Sequence, residues 1–386
     1  MQVRDSATGQ LVLTGSLPIW GFARDGKTYA AASTNEIAFG ELLCPLGFDR
    51  YQGHLAAVEQ LAWAPEGQQF ATLSSDFEVR TWDTARPGIT RGVFLVPPSA
   101  GFWATQSAIA LGPKGRQIAY ASGGRDRSRV IVNDATTGKE VASWDLPGGF
   151  EKLCPIKEGQ FLSVREEIGD GSRNVTTVRR FLEVGKPCPG GQAIRTPAAS
   201  DRSRFIDHWL SQDGQHYLWA GPREPARGRR IELYEVHTGR LAWNIMPPTA
   251  PNDLAPDCLL SDNLRHLWVR DGDSKTLQYQ LPPIKPPTPV NEVWYGVSAD
   301  QRWALAGSFA ENGVPRAVVL RRGLDNEPWI EFPFRDGSAP AGGRYLFSPD
   351  GRYLAWGAAS GAVNVIDLNE LETQVKKFED EIASEK

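Results

Sequence analysis

The chain has 386 residues with 46 acidic and 42 basic side chains, a formal net charge of −4, so no basic excess suited to a polyanion and no acidic tail dominates it. Apolar residues make up 41%, and no run approaches the roughly 18 consecutive apolar residues of a membrane helix. The 39 glycines, 28 prolines and 13 tryptophans against two methionines describe many tight turns and aromatic-rich strands, which excludes a mainly helical fold.

Gln2–Arg4 and Leu11–Thr14 read as two strands around a Ser6-Ala7-Thr8-Gly9 turn, and the opening residues lack the basic and apolar regions of a signal peptide. A cytoplasmic protein is therefore expected. From Ala23 onward one pattern recurs: an apolar segment, a short polar turn and a second apolar segment. Its turns are Ala23 to Gly26, Ala64 to Gly67, Gly112 to Gly115, Ile156 to Gly159, Ser211 to Gly214, Leu260 to Asn263, Ser298 to Gln301 and Ser348 to Gly351. Proline presets φ, aspartate bonds nearby backbone and glycine accepts positive φ, so each turn is expected to join two antiparallel strands. A third strand follows in most units, as in 78–82, 129–133, 230–234, 317–321 and 362–366. Turns such as Thr137-Gly138 and Thr238-Gly239 then lead to a fourth, as at Val141 to Trp144.

Four strands per unit at a period of about 40–50 residues is the signature of a propeller blade. The fold class expected is all-β: a closed propeller of four-stranded blades over residues 1–368, followed by a short C-terminal helix. The turns favour eight blades, with seven as the alternative because the unit at 19–53 is short. The segment 11–18 is expected to complete the last blade, Leu11 to Thr14 lying beside Val363 to Ile366 and sealing an exposed edge. Tyr120, Trp219, Trp268 and Trp356 each fall five positions beyond the residue closing their turn, a recurrence that points to packing between blades.

The second unit carries Gly53-His54, Leu61 to Gly67, and Ser74-Ser75-Asp76 running to Trp82-Asp83, and in these residues it resembles the WD-repeat family. Tyr345 to Leu368 is the next best match, whereas the other units keep the strand pattern without the Gly-His and Trp-Asp pairs. The resemblance implies a propeller, a habit of protein binding, and a buried structural network whose members here would be His54, Ser74 or Ser75, Asp76 and Trp82.

Long charged connections between second and third strands occur in three consecutive units, at 123–129, 165–173 and 222–230. They are expected to be neighbouring loops on one rim and to bind a partner through Arg125, Arg127, Arg129, Glu166, Glu167, Arg173, Arg223, Arg227, Arg229 and Arg230. The interspersed acids argue against nucleic acid as that partner. Pro282 to Pro289 reads as a stiff connector between units. In the tail, Leu371, Val375, Phe378 and Ile382 form an apolar stripe at helical spacing over 369–386, with Asn369 as N-cap, a helix that must dock on its own propeller or on another chain.

Cys44, Cys154, Cys188 and Cys258 are scattered, and His54, His208, His216, His237 and His266 form no zinc-type pair, so neither metal nor cofactor is expected. The repeat accounts for nearly every distinctive residue. The expected function is thus a non-catalytic protein-interaction scaffold or subunit of a complex, without catalytic residues. The alternative is a propeller enzyme or small-molecule binder with its site in the central channel.

Overall fold

The computed structural model describes residues 2–384 except 5–10, 15–18, 23–27, 33–36, 42–47, 52, 87–89, 96–107, 124–126, 148–150, 169–174, 195–206, 212–213, 225–227, 247–257, 261–264, 271–275, 282–287, 291–292, 310–314, 324–327, 334–339 and 359–360. Its described turns follow from their chemistry. Ser348 Oγ donates to Asp350 Oδ1 at 2.5 Å and accepts from the Tyr353 amide at 2.8 Å, while Asp350 accepts from the Arg352 amide at 3.1 Å. The turn at Ser298, Asp300, Arg302 and Trp303 repeats these bonds, in the same order, at 2.6, 3.0 and 3.1 Å. Side-chain oxygens thus satisfy the amides that the reversal frees, and antiparallel strands leave on either side.

The strands build six four-stranded antiparallel sheets from uninterrupted stretches at 58–95, 108–147, 151–194, 207–245, 258–290 and 293–333. A further four-stranded sheet is composite: Pro340–Phe347, Tyr353–Ala358 and Val363–Asp367 take Phe48–Tyr51 as their outer strand, from Val363↔Tyr51 to Ile366↔Phe48. Ile19–Phe22, Thr28–Ala32 and Ile37–Glu41 form a three-stranded sheet, and Gln2–Arg4 pairs with Leu11–Thr14. The fold is an all-β propeller with one short helix, Leu368–Ser384.

Two expectations are corrected here. Among the described residues eight complete four-stranded blades do not form, and the last sheet is completed by Phe48–Tyr51 rather than by Leu11–Thr14. The reason lies in Tyr51, whose fully buried ring makes edge contacts with Phe70 at 5.0 Å and Trp82 at 5.5 Å in the neighbouring sheet. Its hydroxyl also donates to the Asp83 carbonyl at 3.4 Å. Leu11–Thr14 contains no aromatic ring to bridge that distance. Because the 19–41 unit yields its in-phase fourth strand, it is left with three. The proline-rich connector is also shorter than expected, since Thr288–Val290 is the outer strand of its sheet, an edge position that tolerates Pro289; residues 282–287 lie outside the described ones.

Apolar clusters join each sheet to its successor. Leu73 packs with Leu111, Trp144 with Phe161, Leu162 with Trp219, Leu233 with Leu267, Trp268 with Trp294, and Leu320 with Phe347. Tyr353 then stacks on Trp63 at 5.9 Å, bringing the series back to the 58–95 sheet. The first turns interlock as well. A Cβ on Gly67 would sit 2.6 Å from the Asp350 carboxylate, and one on Gly351 would sit 2.9 Å from that of Asp300. Both glycines have φ near +70° (76° and 70°), so a side chain there is excluded twice over.

Tyr51→Ala is expected to destabilise the protein by about 3–5 kcal/mol, because it removes a buried ring that bridges two sheets. Urea unfolding of the variant beside the native chain measures this.

Candidate interaction surface

Inside the 58–95 sheet, Trp82 Nε1 donates to Thr72 Oγ1 at 2.8 Å, and Thr72 Oγ1 lies 2.7 Å from His54 Nε2. With its oxygen taking the indole proton, Thr72 directs its own proton to His54 Nε2. That places the imidazole hydrogen on Nδ1, 3.3 Å from Glu78 Oε1. Glu78 in turn accepts from Arg80 Nε. His54 is held down to about 4, first by burial and then by the Arg80 charge, against the opposing pull of Glu78 and Asp76. It is therefore neutral at physiological pH.

His54 and Trp82 thus belong to one buried network, joined through Thr72. Asp76 does not: it is exposed, accepts from Ser74 Oγ and from the Glu78 amide at 3.2 Å, and fixes the turn, while Glu78 takes the place beside His54. The longer Glu78 side chain reaches back from the strand, which leaves Asp76 free for the local bend. Thr72 could have been found from the sequence, because it lies five residues past Gly67, the phase of Tyr120, Trp219, Trp268 and Trp356. The registers agree: Thr72 faces Arg80 as Tyr120 faces Ile131, Trp219 faces Glu232 and Trp268 faces Gln278. In the 108–147, 207–245 and 258–290 sheets an aromatic ring stands at this position, Tyr120, Trp219 and Trp268, all buried as their phase predicts, while the 151–194 and 293–333 sheets carry buried Val164 and Ala306 at the same spacing.

The three charged connections are extensions of paired hairpins rather than loops throughout. In the 151–194 sheet the first strand ends its pairing at Glu151↔Arg165, yet the second and third continue through Glu166↔Thr177, Glu167↔Thr176 and Ile168↔Val175. In the 207–245 sheet the first strand stops at Asp207↔Ala220, and pairing goes on to Arg223↔Arg229 and Glu224↔Gly228. The 108–147 sheet extends to Gly123↔Ser128, past Ala108↔Ala121. β-Branched partners such as Val175, Thr176 and Thr177 favour pairing where charge density suggested a loop.

Arg127, Glu166, Glu167, Arg223 and Arg229 therefore stand on strands, whereas Arg125, Arg173 and Arg227 lie outside the described residues. Arg129 is exposed and donates to Ser143 Oγ at 2.8 Å, with Glu140 at 3.4 Å. Arg230 serves the interior: its Nε lies 2.6 Å from buried Glu232, which also accepts from the Tyr234 hydroxyl. Burial and Glu232 together push the Tyr234 phenol well above its usual range.

The C-terminal stripe is partly spent within the chain. Leu371 is fully buried and Val375 packs against the core between the 293–333 and 340–367 sheets. Of Phe378 and Ile382 only the helical backbone is described. The helix starts at Leu368, and Asp367 caps it in place of Asn369, its Oδ1 accepting from the amides of Asn369 at 3.0 Å and Glu370 at 3.2 Å.

No family model matches the chain, and no curated protein matches it. Among solved structures 1520 chains match. One is the β-propeller domain of Cps50 (Swd1) from Myceliophteria thermophila, 15% identical, with a TM-score of 0.56 over 82% of this chain and 98% of that one. At that identity the likeness carries the fold alone, that of a β-propeller.

Two outcomes follow from the network. Thr72→Val is expected to cost about 1–3 kcal/mol, because Trp82 and His54 both lose their buried partner; denaturant unfolding checks it. The folded-state pKa of His54 lies below the ordinary 6.5, so between pH 6.5 and about 4 the unfolded chain binds a proton that the folded chain does not. The stability this contributes is complete above pH 6.5 and is lost as pH falls toward 4. Unfolding of the native chain and His54→Gln at pH 7 and 4.5 should show a steeper acid loss in the native chain, by on the order of 2 kcal/mol.

Proposed function

We propose that this chain is a non-catalytic scaffold, a ring-closed propeller of seven sheets that works in the cytoplasm and binds a protein partner on the edge bearing its three extended hairpins. The observation that carries the reading is the continuation of paired strands beyond the first strand of their sheets at Arg165 to Ile168 and at Arg223 to Glu224. Propeller packing does not require this extension, and it places arginine and glutamate side by side in sequence on the strands of consecutive sheets. A surface of alternating sign sets register and encounter rate with a protein of complementary pattern, whereas it repels a uniform polyanion in places. The polar network of the 58–95 sheet, by contrast, is consumed in holding its own strands together.

The test reverses charge at Arg223, Arg227 and Arg229 together. Arg230 is left intact because its guanidinium holds buried Glu232 at 2.6 Å. Affinity capture from cells that make the protein, read by mass spectrometry, should recover partners on the native chain that the triple variant loses, with a deficit that is largest at low salt and narrows as salt rises, and with melting unchanged. Equal recovery by both chains would remove the hairpins from the interface.

A further inference from the structure

The third strand of each sheet places a residue on the face turned toward the following sheet, opposite a residue of the second strand. Val79 faces Leu73, Val130 faces Ala121, Ile231 faces Ala220 and Val318 faces Gly307, and these valines and the isoleucine are all buried. They belong to the apolar clusters that join their sheets to the next. In the 151–194 sheet the corresponding position is Arg179, which faces Val164, a member of the cluster shared with the 207–245 sheet. Arg179 is only 5% exposed. Its Nε donates to Gln192 Oε1 at 3.1 Å, and its Nη1 is buried without a hydrogen-bond partner. Among the described residues no carboxylate pairs with it, and burial pulls the guanidinium below the ordinary arginine pKa.

A buried charge without an opposite charge is costly, and the other sheets show that an apolar side chain serves at this position. The arginine therefore points to a counter-charge that a ligand supplies. Beside it, Gly239 in the third turn of the 207–245 sheet has a φ of 70°. A Cβ there would stand 3.8 Å from Arg179 Nη1 and 3.5 Å from the Ala193 carbonyl oxygen, ordinary contact distances, so the glycine keeps the volume of a side chain clear next to the orphaned donor. Two residues on from Arg179, Phe181 stacks at 5.4 Å on the exposed ring of His237, two residues before Gly239, which ties the turn to the strand at this point. One guanidinium balances one negative charge. With Nε already committed to Gln192, the remaining donor suits the oxygen of a small monoanion.

We propose that Arg179 and the turn at Gly239 form a binding site for a small carboxylate, in the seam between the 151–194 and 207–245 sheets. The carboxylate oxygen accepts from Arg179 Nη1 and neutralises the buried charge, so the ligand strengthens the junction of the two sheets. The site does not use the extended hairpins and stands or falls independently of them.

The test melts the full native chain and Arg179→Met in sodium chloride and in sodium acetate at one ionic strength. Arg179→Met should fold, since valine or isoleucine stands at the same position in other sheets, and in chloride it should melt no lower than the native chain. Acetate should raise the native midpoint above that in chloride by about 2–4 °C and leave the midpoint of Arg179→Met unmoved. No response in the native chain, an equal response in both chains, or a variant that melts below the native chain in chloride overturns the proposal, the last by assigning the arginine to structure alone. Inorganic phosphate at the same ionic strength is the third arm, and a larger response to it than to acetate overturns the choice of a carboxylate. Nuclear magnetic resonance of the isotope-labelled native chain gives a direct readout. The Arg179 Nε–H signal, identified by its loss in Arg179→Met, should shift saturably with acetate, and a signal that stays in place overturns binding at this site.

Discussion

The seam between Val363–Ile366 and Phe48–Tyr51 is the constraint on which the rest of the structure depends. It joins a strand near the end of the chain to one near its start, and the Tyr51 ring locks the pairing by inserting toward Phe70 and Trp82. Once Phe48–Tyr51 is committed there, the 19–41 unit has no fourth strand left, and Leu11–Thr14 pairs with Gln2–Arg4 instead. The same commitment frees the chain after Asp367 from supplying an outer strand. It turns into a helix at Leu368, whose first turns cover the junction between the last two sheets.

Antiparallel connectivity then divides the molecule into two ends. In a four-stranded meander the first and third turns emerge at one end of the sheet and the second at the other. The first turns, interlocked through Asp300 against Gly351 and Asp350 against Gly67, share their end with the helix and its arginine contacts. The extended hairpins of the 108–147, 151–194 and 207–245 sheets stand at the opposite end. The two ends therefore differ in chemistry: at one Arg302 and Arg322 meet Glu372 of the helix, and at the other the second and third strands of three consecutive sheets pair beyond the first.

The interior shows how a repeat can diverge while its packing persists. At one position the 58–95 sheet carries Thr72 within a hydrogen-bonded chain, whereas other sheets place Tyr120, Trp219 or Trp268 there. A network needs every member, since a half-satisfied buried polar group is costly, so the loss of any one favours replacing the centre with apolar volume. The polar network can thus be confined to one sheet although the sheets remain alike.

By themselves, the residues determined the class of the fold, the places of most turns and strands, the packing role of the in-phase aromatics and the pairing of His54 with Trp82 in one blade. These depend on local geometry and on a period written along the chain. Glu78 in place of Asp76, strand pairing through Glu166 and Glu167, and the diversion of Arg230 to a buried carboxylate were decided by side-chain reach and by neighbours on adjacent strands. The number of complete four-stranded sheets, the choice of Phe48–Tyr51 over Leu11–Thr14 and the meeting of Glu372 with Arg302 and Arg322 were decided only in three dimensions. Two segments of matching strand character compete for one edge, and what separates them is the shape of the neighbouring sheet's core, which no spacing along the chain records.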